Sequence, residues 1–97
     1  FFMWMVYILY SGKLNRYYVG RTQNLPLRLQ YHNNPIESRK FTAKGIPWDL
    51  RLSIPCQSKE QAIRLEKLIK QTKSRIFLES LLVNESKVTE LLKRTST

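Results

Sequence analysis

Two stretches of the chain carry side chains suited to phosphate chemistry at spacings that could bring them together. Leu25, Arg28, Leu29 and His32 recur at i, i+3, i+4 and i+7, one face of a helix. Two leucines turn that face toward the protein and carry a guanidinium and an imidazole with them. Further along, Ala62, Leu65 and Ile69 form an apolar stripe bordered by Glu66. A carboxylate at the edge of a buried stripe requires a cationic or metal partner, because burying it alone is expensive. Arg28 and Glu66 are therefore expected to be neighbours across a cleft, or to have a metal and a phosphate between them. Taken singly, each residue also has a plainer role: a solvated charge for Arg28 or Glu66, a structural imidazole for His32, core or cross-strand aromatics for Tyr7 and Tyr18. Trp48 reads as a core plug at the start of a strand, and Cys56 as a small buried hydrophobe.

The elements that must position these groups can be read from periodicity and punctuation. Met3 to Tyr10 reads as a first strand and Tyr17 to Thr22 as a second, joined into a hairpin by the polar turn Gly12 to Arg16. Asn24 is placed to cap a short helix from Leu25 to about Asn33, with Pro26 in its first turn. Asn33 to Pro47 reads as a loop, and Asp49 to Ile54 as a third strand with Leu50, Leu52 and Ile54 alternating against Arg51 and Ser53. Ser58 followed by Gln61 is a capping-box pattern that opens a helix from Lys59 to about Gln71. Ser74 to Lys93 reads as helix interrupted near Asn84 to Ser86, with Arg94 to Thr97 frayed. The result is an α+β fold, β-β-α-β-α-α, with a small three-stranded, mostly antiparallel sheet flanked by helices.

The chain has 97 residues, enough for one domain over 1–97, with a core at about 5–80 and a helical tail over 81–97. Lys and Arg number 17 against 7 Asp and Glu, a formal net charge of +10, which attracts polyanions, nucleic acid foremost. No long basic amphipathic helix favours a membrane surface. Phe1 to Tyr10 is too short to span a bilayer and reads as a buried strand. A single cysteine, Cys56, fits a reducing, cytoplasmic setting.

Val6-Tyr7-Ile8 on one strand and Tyr18-Val19-Gly20-Arg21-Thr22 on the next resemble the two halves of the GIY-YIG nuclease signature, with Val6 where the family has its leading glycine. The similarity continues through Asn24-Leu25, Arg28-Leu29, His32-Asn33, Phe41-Thr42, Pro47-Trp48 and Leu50 to Ala62-Ile63-Arg64-Leu65-Glu66. It covers most of residues 5 to 80 and is of the small stand-alone bacterial type. The resemblance implies a metal-dependent endonuclease that hydrolyses phosphodiester bonds in DNA, structure-directed or of low sequence specificity, with a place in repair or recombination. It implies Glu66 as the ligand of one Mg²⁺ (or Mn²⁺) and Arg28 as a clamp on the phosphoryl oxygens. It also places Tyr7 and Tyr18 at the site, one of them activating the attacking water, with His32 as base or proton relay. Both phenols can face one cleft only if the strands pair in a register that puts positions 7 and 18 on the same sheet face. An asparagine that larger relatives carry after the glutamate has no counterpart in Lys70 to Ser74.

Nucleic-acid contact is expected from Arg21, from the basic loop containing Arg39, Lys40 and Lys44, and from Arg64, Lys67, Lys70, Lys73 and Arg75, all toward phosphates and hence salt-sensitive. No base-reading helix stands out. Two other classes compete: a catalytically weak nucleic-acid-binding module that keeps this fold, and a basic ribosome-associated structural protein. The joint presence of Tyr7, Tyr18, Arg28, His32 and Glu66 separates the enzyme from both.

Overall fold

The computed structural model describes residues 3–38 and 40–96. The strands are β1 (Met5–Ser11), β2 (Arg16–Thr22) and β3 (Trp48–Pro55). They form one antiparallel sheet in the order β2-β1-β3, with β1 in the centre. The helices are α1 (Leu25–His32), α2 (Lys40–Lys44), α3 (Lys59–Thr72), α4 (Arg75–Val83) and α5 (Glu85–Thr95). The α+β architecture expected from periodicity is the one observed.

β1 reads as a continuous apolar run because both of its faces are covered. Val6 and Ile8 join Val19, Ile54, Ala62, Leu65, Ile69, Leu81 and Leu91 in the larger core, beneath α3, α4 and α5. Tyr7 and Leu9, pointing the other way, meet Trp48, Tyr18, Leu25 and Leu29 beneath α1. Val6 is fully buried and fills space in the larger core. Leu65 and Ile69 are also buried, each contributing roughly 1.5–3 kcal/mol of transfer free energy.

Three sequence expectations are corrected. The segment read as a loop over Asn33 to Pro47 contains the short helix α2. The alternation expected in β3 fails at Leu50, which is 41% exposed, because the β1–β3 register shifts between Ile8 and Leu9. Residues Arg94 and Thr95 are not frayed but complete α5: Thr95 is buried, and its hydroxyl donates to the Leu91 carbonyl at 2.8 Å.

The caps explain where the helices begin. The Asn24 side chain accepts from Leu27 N at α1, and the Ser58 side chain from Gln61 N at α3. Gln61 also reaches back to accept from Gln57 N at 2.7 Å, while its own amide donates to the Leu92 carbonyl at 3.0 Å and ties α3 to α5. Asn84 ends α4 and caps α5. Asn33, at the end of α1, holds the start of β3 with both halves of its amide, accepting from Trp48 N at 2.6 Å and donating to Trp48 O at 3.1 Å. That clamp fixes the helix from which Arg28 and His32 project.

Candidate active site

The hairpin register settles how the phenols lie. Tyr7 stands opposite Gly20 and Leu9 opposite Tyr18. Tyr7 and Leu9 share a face, so Tyr7 and Tyr18 are diagonal neighbours on that same face. Their rings lie 6.4 Å apart, centre to centre. Gly20 is required there for space: a Cβ at this position would sit 2.6 Å from the Tyr7 hydroxyl oxygen and 2.7 Å from its Cζ.

His32 enters this face from the last turn of α1. Its ring is buried, 4.7 Å from the Tyr18 ring centre, and its Nε2 is 2.9 Å from the Tyr7 hydroxyl. Burial, reinforced by Tyr18 and Glu66 and opposed by Arg28, holds the Tyr7 phenol well above its ordinary value, so it stays protonated. Burial and the Arg28 charge hold the His32 imidazole below its ordinary value, so it stays neutral. A protonated phenol donating to a neutral imidazole pairs the hydroxyl with Nε2 and puts the imidazole's own proton on Nδ1, a buried atom with no hydrogen-bond partner among the described residues.

The depressed imidazole makes stability depend on pH. In the unfolded chain it titrates at its ordinary 6.5 and in the folded chain lower, so below 6.5 protons bind preferentially to the unfolded state. The stabilisation from neutral His32 is complete above 6.5 and is lost as pH falls through the folded-state value. Thermal melts between about pH 5 and 8 are expected to show this slope in the native chain and its flattening in His32→Gln. Equal slopes in the two proteins would refute the assignment.

Glu66 comes from α3, beneath the opposite sheet face, and reaches the site past the end of β2. Its residue exposure is 7%, and cationic side chains hold both of its carboxylate oxygens. The Arg21 guanidinium donates to Oε1, and the Lys70 ammonium, one helical turn along, lies 2.8 Å from Oε2. Arg21 and Lys70, rather than Arg28, are the ion-pair partners of Glu66 among the described residues. The Arg28 guanidinium lies over the Tyr31 ring, 5.5 Å from its centre. Arg28 and Glu66 nevertheless border one concavity of about 490 Å³, together with Tyr7, Tyr18, Gly20 and Arg21. His32 stands behind Tyr7 and is not part of the lining.

The other basic residues occupy different surroundings. Lys67, Lys70 and Lys73 line a second hollow of about 440 Å³ that shares Arg21 and Glu66 with the first. Lys44 is exposed at the end of α2, the side chain of Lys40 is outside the description, and Arg39 lies outside the described residues. Arg64 donates through Nε to the Thr95 carbonyl at 2.8 Å, in the seam between α3 and α5. Arg75 donates to the Asn15 carbonyl at 2.9 Å and to its side chain at 2.7 Å, joining α4 to the hairpin turn. Sequence reasoning missed the Asn33 clamp and the occupant of Glu66. The second had a visible signal in the i, i+4 spacing of Glu66 and Lys70.

Among the described residues no cluster of three or more His, Cys, Asp or Glu could hold a metal. The donor chemistry is one hard carboxylate, Glu66, bordering an open hollow, which suits Mg²⁺, an ion that keeps most of its waters and takes one or two carboxylates plus phosphate oxygens. No helix among the described residues is long and apolar enough to cross a membrane. Comparison with curated proteins found no match, and comparison with solved structures found none. A family model described as the GIY-YIG catalytic domain matches residues 3–79 of the chain.

Proposed function

The chain belongs to the GIY-YIG family, whose members are nucleases acting on nucleic acid and generally dependent on a divalent metal, and from that premise we propose that it is an endonuclease hydrolysing phosphodiester bonds in DNA. The observation that carries this reading is the single concavity bordered by both phenols, the Arg28 guanidinium and the Glu66 carboxylate. A scissile phosphate seated there meets the planar fork of Arg28, suited to the charge that builds on the phosphoryl oxygens. Glu66 would hold the Mg²⁺ or Mn²⁺, which when bound offsets charge on the phosphate and on the departing 3′ oxygen. Tyr7 orients the attacking water. A phenol held this strongly protonated is not a free phenolate base, so the proton route runs through it: Tyr7 takes the water's proton as its own passes to His32 Nε2 across the 2.9 Å bond. Tyr18, stacked on the Tyr7 ring and edge-on to the His32 ring, fixes the pair. We further assign the protein to structure-directed DNA processing, in repair or recombination, because the described residues offer phosphate-binding cations and, among them, no base-reading element.

The test is cleavage of labelled DNA and RNA, as duplexes, flaps, nicks, junctions and single strands, with Mg²⁺ or Mn²⁺, by the native chain and by Arg28→Ala. Losing the guanidinium is expected to slow cleavage by roughly a hundredfold or more. Equal cleavage by both proteins would point to a contaminating nuclease. Nucleic-acid binding without cleavage of any substrate would favour the binding-module alternative.

A further inference from the structure

The two cations on Glu66 carry an inference that rests on the nuclease reading but goes beyond it. Glu66 is fixed: its α3 neighbours Ala62, Leu65 and Ile69 are buried in the core, and its side chain is 10% exposed. Its partners are not. The Arg21 side chain is 39% exposed and that of Lys70 is 52% exposed, both on long flexible stems. Arg21 borders both the 490 Å³ and the 440 Å³ hollows, so its long, partly exposed side chain can turn toward an anion in either. An ion entering at Glu66 must take a carboxylate oxygen from Arg21 or Lys70, and in the released state those cations would repel it. A backbone phosphate removes the conflict by pairing with the released side chains.

We propose that Arg21 and Lys70 form an exchangeable latch on Glu66: they compete with the divalent ion while the protein is free, and on release become the contacts for a backbone phosphate flanking the scissile one. Metal and nucleic acid then bind with positive coupling, each favouring the other by the same factor. Arg21 and Lys70 are positioning residues here, acting through the carboxylate they hold and release.

Two measurements read this without any cleavage. Electron paramagnetic resonance of Mn²⁺ counts bound ion in the native chain, Glu66→Gln, Arg21→Gln and Lys59→Gln. Lys59 borders the same concavity but lies over the Trp4 ring, 5.6 Å from its centre, and so controls for loss of a nearby charge. Glu66→Gln is expected to abolish binding, Arg21→Gln to tighten it at least about fivefold, and Lys59→Gln to change it far less. The second measurement is duplex-oligonucleotide affinity in EDTA across a salt series. Glu66→Gln frees both cations with no ion present, so it should bind more tightly than the native chain with a log–log salt slope steeper by about one to two. Glu60→Gln, which removes a negative charge from the same helix, should keep the native slope. Arg21→Gln tightening Mn²⁺ no more than Lys59→Gln, or an unchanged salt slope in Glu66→Gln, would overturn the latch and leave the nuclease reading standing. Mn²⁺ binding that survives in folded Glu66→Gln would overturn both.

Discussion

Glu66→Ala is expected to slow strand cleavage by at least about three orders of magnitude while costing less than about 1 kcal/mol of stability. The two effects separate because of where the partners sit. Removing the carboxylate deprives the concavity of the only acidic group among its described lining residues and hence of the ion that would offset charge on the phosphate. The cations left behind, Arg21 and Lys70, are 39% and 52% exposed at the side chain and can return to water. A buried charge stranded without a partner would be costly, but neither of these is buried. Single-turnover cleavage of an end-labelled oligonucleotide and a thermal melt of the same preparations measure the two quantities. Cleavage retained to within tenfold would remove Glu66 from the machinery, and a large fall in melting temperature would make it a structural residue.

That division between chemistry and stability bears on how much of the molecule could be read from residues alone. Strands and capped helices were legible because each rests on a local signal: the polar turn Gly12 to Arg16 ahead of β2, Asn24 before Pro26, Ser58 before Gln61. Helix α2 was not, since five residues ending at Lys44 carry no measurable periodicity and are held by tertiary contacts, among them the Trp48 indole donating to the Thr42 carbonyl at 2.7 Å. Leu50 misled because a register shift in the pairing with β1 cannot be seen in β3 itself. Thr95 was read as frayed because its burial depends on α3, about thirty residues away in the chain.

In the site, helical periodicity put Arg28 and His32 on one face, but it could not say that His32 would be buried and Arg28 exposed, nor which cation would reach Glu66. That choice follows from β2: Arg21 alternates with Gly20 and Thr22 and so points to the α3 side, where Glu66 and Lys70 already stand one turn apart. Strand pleat and helix pitch, each visible separately, had to be combined through the sheet order β2-β1-β3 before the ion pair could be expected.

Gly20→Ala gives the second large effect, through space rather than charge. The backbone at Gly20 is not in the left-handed region, so alanine can adopt its conformation. What it cannot do is coexist with the Tyr7 ring, whose hydroxyl oxygen would lie 2.6 Å from the new carbon. Tyr7 is 2% exposed and its hydroxyl is bonded to His32, so relieving the contact displaces the ring by on the order of 1 Å away from that partner. Overpacking of this kind costs about 1–3 kcal/mol. The larger consequence is chemical, because the displacement lengthens the Tyr7–His32 bond along which the proton must pass, and a misplacement of that size typically costs on the order of a hundredfold in rate. The double variant distinguishes this account from general damage. If Gly20→Ala acts through the Tyr7 hydroxyl, then once Tyr7→Phe has removed that hydroxyl, adding Gly20→Ala should cost little further activity, a non-additivity read from three rate constants. Rate losses that multiply instead would mean that Gly20 supports the site by some route other than the phenol it faces.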